Sequence, residues 1–229
     1  MPGIFYVVAV PIGNLQDITL RALSILKEVD LVLSEDTRET SKLLKSYEIE
    51  NKQLSYRDQN HSKIVESILN ALNDGLNIAL VSDAGTPLIS DPGFKLVEEL
   101  HKHNIKIRPI PGASSITAAL SVGGVPTDKF SYLGFLPKTT SKRKELLTTF
   151  GAMDATLIIL ESPYRTKNLI EEIEQFLGNR VITIARELTK LHEEVITDYV
   201  YNVRSDIDKL TLKGEVIILV AKDGYELSK

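Results

Sequence analysis

The stretch VSDAGTPLISDPG, residues 81–93, lies between an apolar run at Asn77–Ser82 and a helical segment that begins at Phe94. The apolar run is typical of a strand buried on both faces of a parallel sheet. An ordinary connection from strand to helix needs about 2 to 6 residues, and this connection is longer. Its prolines stiffen the backbone, while its glycines allow close backbone approach. The stretch therefore predicts a rigid binding loop at the end of a strand, as in an α/β protein.

The segments around this loop repeat the same order of strand and helix. β-branched and apolar runs at Phe5–Val10, Asp30–Ser34 and Lys106–Ile110 predict three more buried strands. Apolar stripes at Leu20–Leu26 and Ile64–Leu72 predict helices that pack on a core. This alternation indicates a mostly parallel sheet flanked by helices.

A cluster of helix-breaking residues after Ser121, namely Gly123, Gly124 and Pro126, predicts a domain boundary. We therefore expect an N-terminal α/β domain at residues 1–122 and a C-terminal α/β domain at residues 123–229. The second half predicts more strands than helices, so some strands must pair antiparallel in a mixed sheet. The predicted strands are Phe130–Phe135, Ala155–Glu161, Val181–Ala185, Glu194–Val203 and Glu215–Ala221, and the predicted helices are Lys142–Phe150 and Thr166–Leu177.

Composition excludes several classes of protein. Of the 229 residues, 43% are hydrophobic and 25% are charged, which is typical of a soluble globular protein. No apolar run approaches the ~20 residues of a membrane span, so we expect a cytoplasmic protein without a membrane partner. The absence of cysteine excludes disulfides and thiolate ligands, and the spacing of the four histidines favours no metal site. The net charge of −4 argues against a module that binds RNA through its total charge.

Loops at two further strand ends carry ambiguous polar residues. In an open α/β sheet, ligands bind beyond the carboxyl ends of the strands. After the first strand, Gly13 allows close backbone approach, whereas Asp17 or Thr19 could serve only to cap the next helix. After the second strand, Asp36 with Glu39 fits a variant of the capping box. That explanation leaves out Glu35 and Arg38, which we expect to face the binding crevice.

The ligand that these loops would accept has hydroxyl groups and a flat ring. Carboxylates of loop 83–93 suit a ligand with hydroxyl donors, and the small residues at 111–115 leave room for a ring. Free N–H groups at the start of the helix there favour a carboxylate or a polar ring edge. The sequence has neither a GxGxxG motif nor a P-loop, so no phosphate cradle is predicted. S-adenosylmethionine has these parts, and methyl transfer from it needs neither metal nor thiolate.

Seven segments closely resemble the tetrapyrrole methylase superfamily and, within it, the branch that methylates small-subunit ribosomal RNA. The resemblance runs from about Phe5 to Ala221, and the segments at 83–93, 161–165 and 185–190 are specific to that branch. The seven segments are VAVPIGNLQDITLRAL (8–23), LSEDTRET (33–40), VSDAGTPLISDPG (81–93), PIPGASS (109–115), GFLPK (134–138), ESPYRT (161–166) and ARELTK with HEE (185–194).

The resemblance implies a two-domain enzyme, usually a homodimer, that binds S-adenosylmethionine in the cleft between its domains. It implies methylation of the ribose 2′-hydroxyl of a cytidine in 16S rRNA of the small ribosomal subunit. Members of this branch often continue for some tens of residues beyond the last strand, whereas the sequence here runs to Lys229. If that extension helps to bind the ribosomal subunit, we expect RNA binding here to be weaker or arranged differently. The implied cofactor contacts are Ile12, Asp83, Ala84, Gly85, Ser114, Ser115, Glu161 and Glu187.

Residues for catalysis and RNA binding stay open at this stage. A 2′-hydroxyl nucleophile must lose a proton, either to a carboxylate at the crevice or, late in the reaction, to water. Cationic side chains could hold RNA phosphates, although each could equally form a surface ion pair. The candidate bases are Glu35, Asp36, Asp91 and Glu161. The candidate RNA contacts are Arg38, Lys138, Lys142, Arg143, Lys144, Arg165, Arg186 and Lys190.

Two other functions fit parts of the sequence. A methyltransferase acting on a small tetrapyrrole would share the cofactor loops, and the basic cluster at Lys138–Lys144 argues only weakly against it. An RNA-binding module without enzymatic activity is the third alternative, and the acidic net charge argues against it.

Overall fold

A computed structural model of the chain describes residues 1–207 and 213–227. Its internal contacts divide the chain into two compact units, residues 1–114 and 115–229. None of the helices in the described part of the chain is long and apolar enough to cross a membrane.

The first unit is built on a five-stranded sheet in the order β3-β2-β4-β1-β5, with every pair of neighbours parallel. The predicted parallel sheet is thus confirmed. Strand β3 was not predicted, because its three residues are polar or half-buried and lack an apolar run. The strands are β1 (Ile4–Val8), β2 (Leu31–Ser34), β3 (Gln53–Ser55), β4 (Ile78–Val81) and β5 (Lys106–Ile110), and the helices are α1 (Leu20–Glu28), α2 (Thr37–Ser46), α3 (His61–Asn73) and α4 (Phe94–Lys102).

Helices cover both faces of this sheet. Alternate residues of a strand point to opposite faces, so Ala79 and Val81 join one apolar cluster while Ile78 and Leu80 join another. The first cluster includes buried residues of α1 and α2, and the second includes those of α3 and α4. Because apolar side chains fill both faces, a ligand of this unit must contact the loops at the ends of the strands.

The second unit contains a five-stranded mixed sheet in the order β6-β7-β10-β8-β9. Strands β6 and β7 are parallel, and the three other neighbouring pairs are antiparallel. The mixed sheet was predicted. The elements are α5 (Ser115–Val122), β6 (Phe130–Phe135), α6 (Thr140–Gly151), β7 (Thr156–Glu161), α7 (Pro163–Leu177), β8 (Val181–Arg186), β9 (Glu194–Tyr199), α8 (Val200–Ser205) and β10 (Val216–Val220).

Three details differ from the sequence-based expectation. The contacts divide the chain after Ser114 and not after residue 122, because α5 packs on β10. The predicted strand Glu194–Val203 ends at Tyr199, since Val200 and Val203 recur at helical spacing and are buried on one side of α8. Helix α7 begins at Pro163, where proline is well tolerated because the first helical N–H has no partner within the helix.

Candidate functional site

Loop 83–93 joins the other loops at the carboxyl edge of the first sheet. Val10 and Gly85 exchange two backbone hydrogen bonds, of 2.9 and 3.1 Å, and so connect the loop after β1 to the loop after β4. The Thr86 hydroxyl donates to the carbonyl oxygen of Ala113 at 3.1 Å, beyond β5. The backbone N–H of Asp36, beyond β2, donates to Asp83 Oδ1 at 3.0 Å. These contacts bring the predicted strand-end loops of this unit into one cluster.

The backbone of loop 83–93 is held in conformations that most residues avoid. Leu88 and Ser90 have φ angles of 74° and 65°, in the left-handed region. Each such residue costs of order 1–3 kcal/mol, and the conformation persists only where the surroundings enforce it. Gly85 has a φ of 75°, and a Cβ built on it would lie 3.1 Å from Ile12 Cγ2. The loop is therefore a fixed structure of the kind that is common at binding sites.

The predicted cofactor residues of the first unit lie together in this cluster. Ile12 is buried against Gly85, whereas Asp83 and Ala84 are exposed beside it. Ser114 is the last residue of the loop after β5. The preceding residue, Ala113, accepts the hydrogen bond from Thr86. An exposed carboxylate suits ribose hydroxyls, and small residues with close backbone suit a flat ring. The arrangement fits a nucleoside cofactor. The other predicted contacts, Ser115, Glu161 and Glu187, belong to the second unit.

Three carboxyl groups at this edge influence one another. Burial, followed by repulsion from Glu35, raises the pKa of Asp91 to about 6, while a hydrogen bond with Ser82 opposes that change. Burial, followed by repulsion from Asp83, also raises the pKa of Glu35. Both groups thus release their protons closer to neutral pH than ordinary carboxyls do.

Asp36 behaves differently from these carboxyls. It caps α2 by accepting from the backbone N–H of Arg38 at 2.9 Å, and its Oδ2 lies 2.5 Å from Arg38 Nη2. The hydrogen bonds from Arg38 hold the pKa of Asp36 well below its usual range, so Asp36 is a poor proton acceptor at neutral pH. The predicted capping box is half right, because Glu39 pairs with Lys42 and the Asp36 N–H donates to Asp83.

Sequence reasoning missed the loop after β3. Arg57 donates from Nε to the carbonyl oxygen of Glu35 at 3.1 Å, and Asp58 Oδ1 accepts from Gly93 N at 3.2 Å. Arg57 therefore supports the loop after β2, and Asp58 supports the last residue of loop 83–93. The alternation of Leu54 with Tyr56 was the one available signal for the strand that positions them.

In the second unit, Arg143 forms a buried ion pair. Its side chain and that of Glu172 are each 11% exposed, with Nη2 2.5 Å from Glu172 Oε1. The same guanidinium donates to the carbonyl oxygens of Pro137 and Lys138, at 3.1 and 2.5 Å. Its donors are therefore used to fix the loop between β6 and α6. The structure thus corrects the expectation that Arg143 contacts RNA phosphates.

Other candidate cations are also engaged. Arg186 is 8% exposed and contacts Glu194 at 3.2 Å, while Lys190 lies 2.9 Å from Glu187 and 3.2 Å from Glu215. The hydrogen bond from Glu215 N, followed by that from Lys190, lowers the pKa of Glu187. The lysines without an ion-pair partner in residues 1–207 and 213–227 include Lys138, Lys142 and Lys144, the last lying 5.6 Å from the centre of the Phe176 ring. Within the basic cluster at Lys138–Lys144, these three lysines remain the candidates for contacts with RNA phosphates.

The fold that carries this site is that of known α/β methyltransferases. A solved structure of diphthine synthase superposes with a TM-score of 0.72 over 95% of this chain and 89% of that one, at 15% identity. Uroporphyrin-III C-methyltransferase from Thermus thermophilus, solved with S-adenyl homocysteine, superposes with a TM-score of 0.63 over 96% and 97%, at 19% identity. The class defined by the architecture is thus a methyltransferase fold of two α/β units.

Residues 5–203 match the family described as Tetrapyrrole (Corrin/Porphyrin) Methylases, and the chain belongs to that family. Proteins called ribosomal RNA small subunit methyltransferase I are similar over nearly all of it. The relative from Thermotoga maritima is 42% identical over 96% of this chain and 98% of its own length. The relative from Halalkalibacterium halodurans is 42% identical over 98% of this chain and 78% of its own length. Relatives of that name therefore include proteins about as long as this chain and proteins that are longer.

The Arg143–Glu172 pair leads to a stability prediction. Arg143→Met should lower the free energy of unfolding by an amount near the lower end of the ~3–5 kcal/mol that breaking a buried ion pair costs, because Glu172 is left without its partner. Arg143→Met combined with Glu172→Gln should recover part of this loss. Urea unfolding of the wild type, the two single variants and the double variant measures the coupling. Additive effects of the two substitutions would contradict the buried pair.

Asp91 leads to a prediction for the pH dependence of stability. Its folded pKa of about 6 lies above the usual value of 3.8, so the stability it contributes is fully present below pH ~4 and is lost as pH rises through 6. Asp91→Asn mimics the neutral form and should be more stable than the wild type at pH 8. That advantage should disappear near pH 4. Urea midpoints between pH 4 and 8 test this, and parallel curves would contradict the raised pKa.

Proposed function

We propose that this chain methylates the ribose 2′-hydroxyl of a cytidine in the 16S rRNA of the small ribosomal subunit. The observation that carries the proposal is the 42% identity to the Thermotoga maritima methyltransferase over almost the full length of both chains. The branch-specific segments at 83–93, 161–165 and 185–190 support it. The protein is a methyltransferase, and its methyl donor is S-adenosylmethionine.

The cofactor site of the first unit consists of Ile12, Asp83, Ala84 and Gly85, together with Ser114. When bound, the donor supplies an electrophilic methyl group on a sulfonium. Asp83 Oδ1 accepts from Asp36 N, and this hydrogen bond orients the carboxylate. Its remaining acceptor sites receive hydrogen bonds from hydroxyls of the donor. Gly85 brings its backbone close to the ligand, and the contact with Ile12 fixes its position. Ser115 and Glu187 complete the proposed set from the second unit, and Glu161, which the resemblance also implied, is given another role below.

Asp91 is the preferred acceptor for the proton of the ribose hydroxyl. A general base works best when its pKa lies near the working pH, and the pKa of Asp91 is raised to about 6. Glu35 is the second choice, because its pKa is also raised. Asp36 is excluded by its pairing with Arg38. Glu161, deeply buried in the second unit, is assigned a different role below.

The RNA is held by three lysines of the basic cluster that lack an ion-pair partner in the described structure, Lys138, Lys142 and Lys144. Arg165, whose side chain is 31% exposed, adds a guanidinium in the first turn of α7. A chain with a net charge of −4 must concentrate its phosphate contacts in such a patch. We propose the assembled small subunit as the partner and a homodimer as the active form, and cytoplasmic action follows from that partner.

Asp83→Ala should weaken binding of S-adenosylmethionine by about 1–3 kcal/mol, roughly 5- to 150-fold in Kd, because a hydrogen-bond acceptor is lost. Asp83→Asn is the matched variant, since it retains an acceptor for Asp36 N and should preserve the loop while losing the charge. Isothermal titration calorimetry measures both. Asp74→Ala, between α3 and β4, is the control and should bind like the wild type. Wild-type affinity in both Asp83 variants would rule out the proposed site.

The reaction product is tested with labelled S-adenosylmethionine and small subunits from a strain that lacks the modification. A 2′-O-methyl group blocks alkaline cleavage of the adjacent phosphodiester, so the label should appear in an alkali-resistant dinucleotide that contains cytidine. Label on a base would contradict the ribose assignment. Methyl transfer to a tetrapyrrole, with none to RNA, would instead favour the alternative small-molecule methyltransferase.

A further inference from the structure

A cavity of about 300 Å³ lies wholly within the second unit, beside the loop that follows β6 and the first turns of α6 and α7. This volume is at the lower end of the ~300–1,000 Å³ that small-ligand sites occupy. The residues that line it are Lys138, Arg143, Glu161, Arg165, Asn168 and Leu169.

Glu161 gives this cavity a buried hydrogen-bond acceptor. Its side chain is 1% exposed, and its Oε1 accepts from Ser162 N at 2.7 Å. Its Oε2 lies 3.0 Å from Arg165 Nη2, within ion-pair distance, yet it accepts no hydrogen bond from any residue that the structure describes. A buried carboxylate oxygen without a donor is costly, so a ligand that donates an N–H or O–H there would be favoured. A carboxylate only accepts, so it rejects a ligand that presents an oxygen acceptor.

Cations at the cavity favour an anionic group on the same ligand. Lys138 is exposed and its ammonium has no ion-pair partner in residues 1–207 and 213–227. Arg165 donates to the carbonyl oxygen of Leu136 at 2.9 Å, which orients its guanidinium at the cavity wall. Arg143 is occupied by Glu172 and holds the backbone of Lys138 in place. The cavity therefore combines one acceptor with two cations that a phosphate could meet.

Two exposed aromatic side chains adjoin the same segments. Tyr164, in the first turn of α7, is 94% exposed and precedes Arg165 directly. Phe135, the last residue of β6, is 60% exposed and lies three positions before Lys138. Unpaired bases of RNA stack on exposed aromatic rings, so these two side chains are available for such a contact.

We propose that this cavity binds an unpaired nucleotide whose base carries an exocyclic amino group, and that it prefers cytidine to uridine. The amino group donates to Glu161 Oε2, the base stacks on Tyr164, and the phosphate is held by Lys138 and Arg165. This inference rests on the proposed function, because it takes the substrate to be RNA. It adds Glu161 as the residue that determines base specificity. Cytosine donates from N4 where uracil accepts at O4, so the buried carboxylate distinguishes the two.

The test compares oligocytidylate with oligouridylate of the same short length, by fluorescence anisotropy with the full chain. The wild type should bind oligocytidylate about tenfold more tightly, which is the discrimination expected of a good base contact. Glu161→Gln should abolish this preference, because an amide can also donate to O4 of uracil. Failure to bind oligocytidylate, equal binding of the two RNAs by the wild type, or a retained preference in Glu161→Gln would overturn the proposal.

Tyr164 and Lys138 provide variants with little risk to folding, because both side chains are exposed. Tyr164→Ala should weaken binding of both RNAs by about 5- to 150-fold, the range for a lost base stack, while Tyr164→Phe keeps the ring and should bind like the wild type. Lys138→Ala should reduce the slope of log K against log salt by ~0.7, as expected for one lost phosphate contact. Unchanged binding in Tyr164→Ala and Lys138→Ala would overturn the proposal even if Glu161→Gln fails to fold.

Methyl transfer to small subunits is measured in parallel, so that the two conclusions can fail separately. A wild type that methylates small-subunit rRNA without preferring oligocytidylate overturns the cavity assignment alone. A wild type that prefers oligocytidylate and transfers no methyl group to rRNA overturns the proposed function.

Discussion

The two backbone hydrogen bonds between Val10 and Gly85 organise the loops at the carboxyl edge of the first sheet, where we propose that the cofactor binds. They form an antiparallel bridge at the edge of a sheet whose strands are otherwise parallel, and they join two loops that leave neighbouring strands. Ile12 then contacts Gly85, Asp83 reaches Asp36, and Thr86 reaches Ala113. Later in the same loop, Leu88 and Ser90 have unfavourable backbone angles, which persist only where the surroundings enforce them.

The parts of the structure that follow from apolar periodicity were predictable from the sequence. β4 is four consecutive buried residues, so its run of apolar residues is unambiguous. The connection after it predicted a binding loop for a different reason, namely its unusual length and its prolines and glycines. β3 was missed because its packing depends on parallel pairing with β2, which no local pattern encodes. The end of β9 was missed because a β-branched run favours a strand until tertiary packing favours a helix.

The roles of charged side chains were the least predictable feature. Lys138, Lys142, Arg143 and Lys144 look alike as a basic cluster, yet only Arg143 meets a carboxylate from α7 at its buried position. Arg186 and Lys190 likewise meet acids that are far away in sequence or lie on another strand. An ion pair depends on which distant residues the fold brings together, so residue type and spacing cannot assign it. Asp36 and Arg38 were closer in sequence, and Asp36 was correctly expected as a helix cap.

Because helices cover both faces of the first sheet, residues can change without disturbing the packing mainly in the loops at the carboxyl ends of the strands. Residues such as Phe5, Leu80 and Val81 are enclosed by apolar side chains, so exchanging them would disturb packing without altering a binding surface. Exchanging residues in the loops at the carboxyl edge does not disturb this packing, because the sheet and its helices already form the core. A scaffold of this kind can diversify its substrates by replacing loops while its interior stays constant. Methyltransferases that share only 15–19% of their residues with this chain can therefore retain its architecture.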